Sequence, residues 1–405
     1  MNHHAPQRPR PASLVRRSLF PRILSALLCG LLATAQAACS SDTASGAPEA
    51  PLLSTPPAAA PPAEAEPDPD PVQQACAAES AKLQAGLDKA RDADTDAVMA
   101  VKNTACGLRV LTSGPSKLAG KELHRIGSVT KTYIAAVVVS LAHDGALGLD
   151  DAVSKWVTNV PDGDAITVRQ LLQHTSGLFN YTEDKPFVSK AVTKDHLWSP
   201  RELLDVSFAH PPDFAPGQGW HYSNTNYVML GLVAEAAGKA KIGALVRSRV
   251  LAPIGATATF FDGEEPMAGV LALGVDARGN DMRTIGPSWA WAAGAMVAAP
   301  ADVALWIEKL CNGTFHDAAS QKEVFTSVAT DDKSMRYGLG LMVLDARVTG
   351  GAGTGYGHGG DTPGYHTQAF HFPATKTTIV SIVDSDAASA NDVTAAALGV
   401  LFSSK

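Results

Sequence analysis

Arg125-Ile126-Gly127-Ser128-Val129-Thr130-Lys131-Thr132-Tyr133 sets a serine three residues ahead of a lysine, with a glycine before the pair and an apolar helix after it. At i and i+3 the two side chains share one helix face, so the amine reaches the hydroxyl. A serine hydroxyl is a poor nucleophile until something removes its proton, and a neutral lysine beside it can do so. If Ser128 opens the helix, its backbone N–H is one of the unpaired donors there and can serve an oxyanion. The same tetrad also fits a surface helix with Ser as N-cap and Lys solvated. The rest of the chain has to decide between them.

Working outward, the helix that starts at Ser128 carries Ile134, Val137, Val138 and Leu141 and stops at Gly145. Upstream, residues 77–90 read as an amphipathic helix, with Leu83 and Leu87 at i, i+4. Residues 97–101 and 106–112 read as a strand pair turning at Asn103-Thr104. Downstream the chain is helical. Thr167-Val168-Arg169-Gln170 and Ser199-Pro200-Arg201-Glu202 are capping boxes, a helix runs from Tyr227 to Ala237, and Pro300 opens another to about Leu310. Residues 337–343, 367–372 and 377–383 alternate or are β-branched, the last two joined by a tight hairpin at 373–376, and 391–402 close the chain as a helix. Strands, then helices, then strands predict an α+β fold. An antiparallel sheet flanked by helices is built from both chain ends, with an all-helical lobe inserted over about 135–290.

The N-terminus is not part of that fold. Residues 1–22 hold five arginines and no acid, and residues 23–35 are apolar, a secretory signal too short to span a membrane. Arg16-Arg17-Ser18-Leu19-Phe20 loosely resembles a twin-arginine export signal. Cleavage would remove residues 1–38. Ala37-Ala38-Cys39-Ser40 also resembles a lipoprotein signal with Cys39 as the lipid anchor, although Gln36 stands where a leucine is usual. Residues 39–74 contain nine prolines and no aromatic residue, a semi-rigid disordered linker. The folded domain is then 75–405, and localisation is periplasmic, membrane-tethered or secreted. Without 1–38 the net charge goes from −7 to −12, because five arginines leave and no acid does. That balance does not suit nucleic acid. An oxidising exterior favours one disulfide, expected between Cys76 and Cys106, with Cys311 free. No Cys/His spacing suits zinc, so no metal or cofactor is expected.

Two further runs lie where acyl transfer needs them: Tyr222-Ser223-Asn224 before a helix, and His358-Gly359-Gly360 before Pro363-Gly364-Tyr365. With S-x-x-K, then Y-x-N, then H-x-G in this order, the chain resembles the serine β-lactamase and penicillin-binding-protein-like hydrolases. The nearest branch is that of class C β-lactamases, D-alanyl-D-alanine carboxypeptidases and related esterases. The resemblance covers about 78–402 and includes Leu171 to Leu178 and Ala292-Ala293-Gly294-Ala295-Met296.

The resemblance implies a β-lactamase/transpeptidase-like fold and a set of roles. Ser128 is acylated, Lys131 is its base, and Tyr222 relays the proton to the leaving group and later activates water. Asn224, His358, Gly359 and Gly360 bind substrate. The backbone N–H groups of Ser128 and Asp361 form the oxyanion hole. His174 reads as a hydrogen-bonded residue ordering the Thr175-Ser176-Gly177 turn, and Glu183 and Asp184 as solvent-facing.

His358 in place of lysine points toward peptidases and esterases. Gly359 lacks a hydroxyl aimed at a substrate carboxylate, and Asp361 adds a negative charge nearby; Arg278 or Arg283 could compensate. The leading expectation is a D-alanyl-D-alanine carboxypeptidase-type hydrolase of cell-wall peptides. An esterase, amidase or β-lactamase of the same fold, and a non-catalytic cell-wall binding protein, are the alternatives. The partner is a small-molecule or peptide substrate, peptidoglycan peptides included.

Overall fold

The computed structural model describes residues 70–191, 193 and 196–403. The export signal, Cys39 and the linker up to residue 69 lie outside the described residues. Asp70–Lys405 is one compact unit.

The first helix, α1 (Pro71–Ala90), opens six residues earlier than its periodicity suggests, inside the expected linker. Asp70 caps it by accepting from Val72 N–H, and Pro71 takes the first helical position, where a missing N–H costs nothing. It is followed by β1 (Ala97–Asn103), β2 (Gly107–Ser113), β3 (His124–Arg125) and α2 (Thr130–His143). The helical lobe carries α3 (Val168–Leu172), α4 (Lys185–Ala191), α5 (Pro200–Phe208), α6 (Asn224–Gly238), α7 (Ile242–Val246) and α8 (Ala252–Ile254). Both capping boxes form, on α3 and α5. The chain returns through β4 (Thr259–Phe261), β5 (Met296–Ala298), α9 (Pro300–Cys311), α10 (Ala318–Phe325), β6 (Val328–Ala329), β7 (Met335–Tyr337) and β8 (Met342–Leu344). It ends with β9 (Gly355–Thr362), β10 (Tyr365–Phe372), β11 (Thr377–Val383) and α11 (Ala390–Phe402).

Eight antiparallel strands form one sheet in the order β2-β1-β11-β10-β9-β8-β7-β6. The N-terminal and C-terminal strands pair one strand in from an edge, where Ala97 faces Val383 and Val101 faces Ile379. This is the expected α+β arrangement. Every residue of β11 is buried because helices cover both faces. Val98, Ala100, Val380 and Ile382 share a core cluster with Tyr133, Val303, Trp306 and Ile307 of α2 and α9. On the other face, Ser381 Oγ accepts from Thr394 of α11.

Two expectations change. Residues 337–343 are not one strand: a turn at 338–341, in which Gly340 has φ +80°, separates β7 from β8. A second sheet, in the order β3-β5-β4, was missed because its strands are two or three residues long.

Cys76 and Cys106 form the expected disulfide, tying α1 to the β1–β2 turn, and Cys311 is a buried free thiol. Closing a loop of this size should contribute about 2–4 kcal/mol through the unfolded state. The Cys76→Ser/Cys106→Ser double variant should lose that amount in urea unfolding, with the m-value little changed. A loss under about 0.5 kcal/mol would show that α1 is held by packing alone.

Candidate active site

Ser128 lies in a 3-10 turn, Gly127–Val129, ahead of α2 rather than in its first α-helical turn. The turn needs Gly127, which has φ +49° and would place a Cβ 2.6 Å from the backbone nitrogen of Asp361. A Cβ on Gly360 would lie 2.0 Å from the Ile126 carbonyl oxygen and 3.0 Å from the Ser128 nitrogen. The two glycines therefore let β9 pack directly on the nucleophile turn. The backbone nitrogens of Ser128 and Asp361 come side by side as a result.

Lys131 is fully buried. Its Nζ lies 3.0 Å from Ser128 Oγ, 2.7 Å from Asn224 Oδ1 and 2.7 Å from the Ala293 carbonyl oxygen. Burial holds the amine well below the usual lysine range. A neutral amine has two N–H donors and one lone pair. The two carbonyl oxygens can only accept, so they take the two donors, and the lone pair is left for the Ser128 hydroxyl. Asn224 cannot turn its amide round, because its Nδ2 donates to Thr182 Oγ1 at 3.0 Å and its backbone N–H donates to Asn180 Oδ1. Asn224 is thus first an orienter of Lys131, with one amide hydrogen left for a substrate carbonyl.

The Tyr222 phenol also bonds to Ser128, and its ring lies 4.9 Å from Lys131 Nζ. Burial raises its pKa far above the ordinary tyrosine value, with the Ser128 hydrogen bond pulling the other way, so it is a protonated phenol at neutral pH. Behind it stands a buried aromatic block. His174 packs on Tyr222 at 4.3 Å and on Tyr337 at 4.7 Å, and its Nδ1 accepts from the Ser223 backbone N–H. His174 is therefore a positioning residue for Tyr222, beyond the turn-ordering part expected of it.

The expectation that His358 touches substrate is corrected. Its side chain is fully buried, and both ring nitrogens are engaged, Nε2 with Tyr337 Oη at 2.8 Å and Nδ1 with the Gly359 carbonyl. Burial lowers its pKa to about 3, so it is neutral. Strand alternation turns it inward against the aromatic block. A Cβ on Gly359 would meet the Gln368 side chain, and one on Gly360 the nucleophile turn.

Glu183 and Asp184 are also not simply solvated. Glu183 lies 3.2 Å from His221 Nε2, and Asp184 lies 3.0 Å from His210 Nε2. Of the two arginines offered for a carboxylate, one is engaged. Arg283 grips Asp281, and Arg278 sits on the same exposed 276–283 turn. Arg125, on β3, is buried and pairs with Asp262 at 3.6 Å.

Nucleophile, lysine, tyrosine and backbone donors sit together on a fold of the β-lactamase and penicillin-binding-protein type. The Beta-lactamase family model matches residues 93–401, and the chain belongs to that family. A D-stereospecific amidohydrolase from Streptomyces superposes with a TM-score of 0.70 and 31% identity, over 77% of this chain and 96% of that one. The D-amino acid amidase of Ochrobactrum anthropi SV3 gives 0.70 and 26%, over 80% and 97%. In sequence, the putative penicillin-binding protein PbpX of Bacillus subtilis (strain 168) is 27% identical over 224 residues, 54% of this chain and 53% of that protein. Esterase EstB of Burkholderia gladioli is 33% identical over 157 residues, 36% and 40% respectively. The chain thus spans about half or less of the length of these curated relatives.

Proposed function

We propose that this chain is an exported serine amidohydrolase and esterase that works through an acyl-enzyme on Ser128. The observation that carries the reading is the fully buried Lys131 amine, its pKa held well below the usual lysine range, set 3.0 Å from the Ser128 hydroxyl and fixed by two carbonyl oxygens. Lys131 takes the serine proton as Oγ attacks the scissile carbonyl. The carbonyl oxygen becomes an oxyanion between the backbone N–H groups of Ser128 and Asp361. Tyr222, held protonated, gives its proton to the leaving nitrogen or oxygen, and the proton that Lys131 took from Ser128 returns to Tyr222. In deacylation the same groups act on water in the reverse order. An assembly this complete argues against an idle binding protein.

The substrates favoured are amides and esters of D-configured amino acids or short peptides, as the 31% identical amidohydrolase suggests. A carboxypeptidase on D-alanyl-D-alanine termini requires a cation for the free carboxylate. The arginines near the cleft are spent on Asp262 and Asp281 or sit on an exposed turn, which weighs against that specificity. The signal and the Cys39 anchor remain part of this proposal, and the Cys76–Cys106 disulfide suits an oxidising compartment. Cell-wall peptides would be within reach there.

The test is a panel of p-nitrophenyl acetate, D-phenylalanine amide, L-phenylalanine amide and a D-Ala-D-Ala peptide, with intact-mass detection of the acyl-enzyme. Turnover of the ester and the D-amide, with the L-amide and the peptide at least about tenfold slower in kcat/KM, is the expected result. Cleavage of the D-Ala-D-Ala peptide alone would return the enzyme to the carboxypeptidases.

A further inference from the structure

β9 leaves the nucleophile turn at Asp361, and β10 returns with His366 opposite it in register. His366 Nδ1 lies 2.5 Å from Asp361 Oδ1. The other ring nitrogen lies 3.4 Å from Asp386 Oδ1, an oxygen that also accepts the Gly364 backbone N–H at 2.6 Å. One imidazole therefore bridges two carboxylates across the tip of the β9–β10 hairpin. The Asp361 side chain is 64% exposed and His366 only 25%, so the histidine forms the floor on which the carboxylate lies.

Asp361 matters because of where its backbone is. Its nitrogen is one of the two that flank the Ser128 carbonyl site, and its carboxylate charge reaches Tyr222, whose ionisation it opposes. A bare anion here would stand beside the bond being broken. It would repel any leaving group that carries negative charge of its own.

We propose that His366 is a specificity-determining positioning residue: it holds the Asp361 carboxylate along the hairpin and offsets its charge, so anionic leaving groups are turned away from the cleft less strongly than by a bare Asp361. This rests on the acyl-enzyme reading of Ser128. Asp361 and Asp386 together carry two negative charges against one on the imidazolium, so His366 halves the anionic charge at the strand edge.

The groups packed around His366 are accounted for. β9 brings Asp361, and the segment after β11 brings Asp386 and the buried Asp384, which is spent on His124. Arg125 lies over the Tyr365 ring and pairs with Asp262, and Arg283 is held by Asp281. Burial pulls the imidazole pKa down, but the hydrogen bond to Asp361 and the nearby Asp386 carboxylate outweigh it and carry it up to about 9. At neutral pH the ring is therefore an imidazolium. Compensation is present below that value and is lost as pH rises through it.

The test compares phenyl acetate with 3-carboxyphenyl acetate, two esters that give the same acetyl-enzyme and differ only in leaving-group charge. kcat/KM reports acylation, and kcat for the shared deacylation is the internal control. In the wild type the ratio of the two kcat/KM values should be flat near pH 7 and fall as pH passes about 9. His366→Gln should lower kcat/KM for the anionic ester about fivefold more than for the neutral one at neutral pH, the effect of one part-exposed charge a few ångströms away. The Asp361→Asn/His366→Gln double variant should restore the ratio. Equal losses for both esters, an unchanged ratio, or a double variant that restores nothing would overturn the proposal. A measurement without turnover checks the pairing itself. By proton NMR, His366 should titrate near 9 in the wild type and fall toward the ordinary imidazole value of about 6.5 in Asp361→Asn. Titration near 6.5 in the wild type would also overturn it. Ser128→Ala separates the two claims, since turnover of both esters in that variant removes the acyl-enzyme reading whatever the ratio does.

Discussion

Ser128→Ala is expected to lower kcat for every ester and amide by a thousandfold or more, and to abolish the acyl-enzyme in the mass spectrum. Removing a catalytic serine nucleophile typically costs at least about that much, because no other group supplies the covalent route. The neighbours suggest no substitute. Thr130 is buried, with its Oγ1 accepting from the Met296 backbone N–H, and Thr132 donates to the Val129 carbonyl and accepts from Trp306. The fold should tolerate the change. The Ser128 hydroxyl meets only Lys131 and Tyr222 among the contacts described above, and alanine keeps the backbone of the 3-10 turn, so the thermal midpoint should move by only a few degrees. Residual activity above a tenth of wild type would remove Ser128 from the mechanism.

What the sequence disclosed, and what it hid, follows from the range of the interactions involved. The Ser128–Lys131 spacing, the caps at Thr167 and Ser199 and the β-branched run 377–383 are local signals, and all reappear in the structure. The disulfide was within reach because few thiols were left to choose from. β9 reads poorly because half of it is glycine, and Gly360 answers to the nucleophile turn more than two hundred residues earlier in the chain. A glycine kept for close packing looks the same in sequence as one kept for a ligand. His358 was misread for a related reason: its inward orientation is set by strand phase and by Tyr337 from another strand. The ion pair of His366 with Asp361 depends on the β9–β10 register, and that of Glu183 with His221 on the fold of the helical lobe. Asp361 alone suggested repulsion of anions; with His366 beside it the expectation becomes a weaker repulsion, which His366 controls.

Lys131→Met is expected to lower kcat/KM by about a hundredfold to ten-thousandfold, the usual worth of a positioned base. Methionine is close to lysine in length and suits the apolar part of the site, so the loss should be chemical before it is steric. It is not cost-free for stability. The Asn224 side-chain carbonyl and the Ala293 carbonyl would both lose their donor, and a buried acceptor left unpaired costs about 1–3 kcal/mol. Part of that cost is returned, because burying a neutral lysine is itself unfavourable. The unfolded chain binds the proton that Lys131 gives up on folding, so this residue makes wild-type stability rise with pH from the depressed folded value up to the unfolded lysine value of about 10.4. The variant should lack that rise. Activity has its own signature. A base must be unprotonated to act, so wild-type kcat/KM falls as pH drops through the lowered lysine pKa, and this acid limb should vanish in Lys131→Met while the small residual rate persists. Equal acid limbs in the two proteins would transfer the titration to another group and leave Lys131 as a structural hydrogen-bond donor.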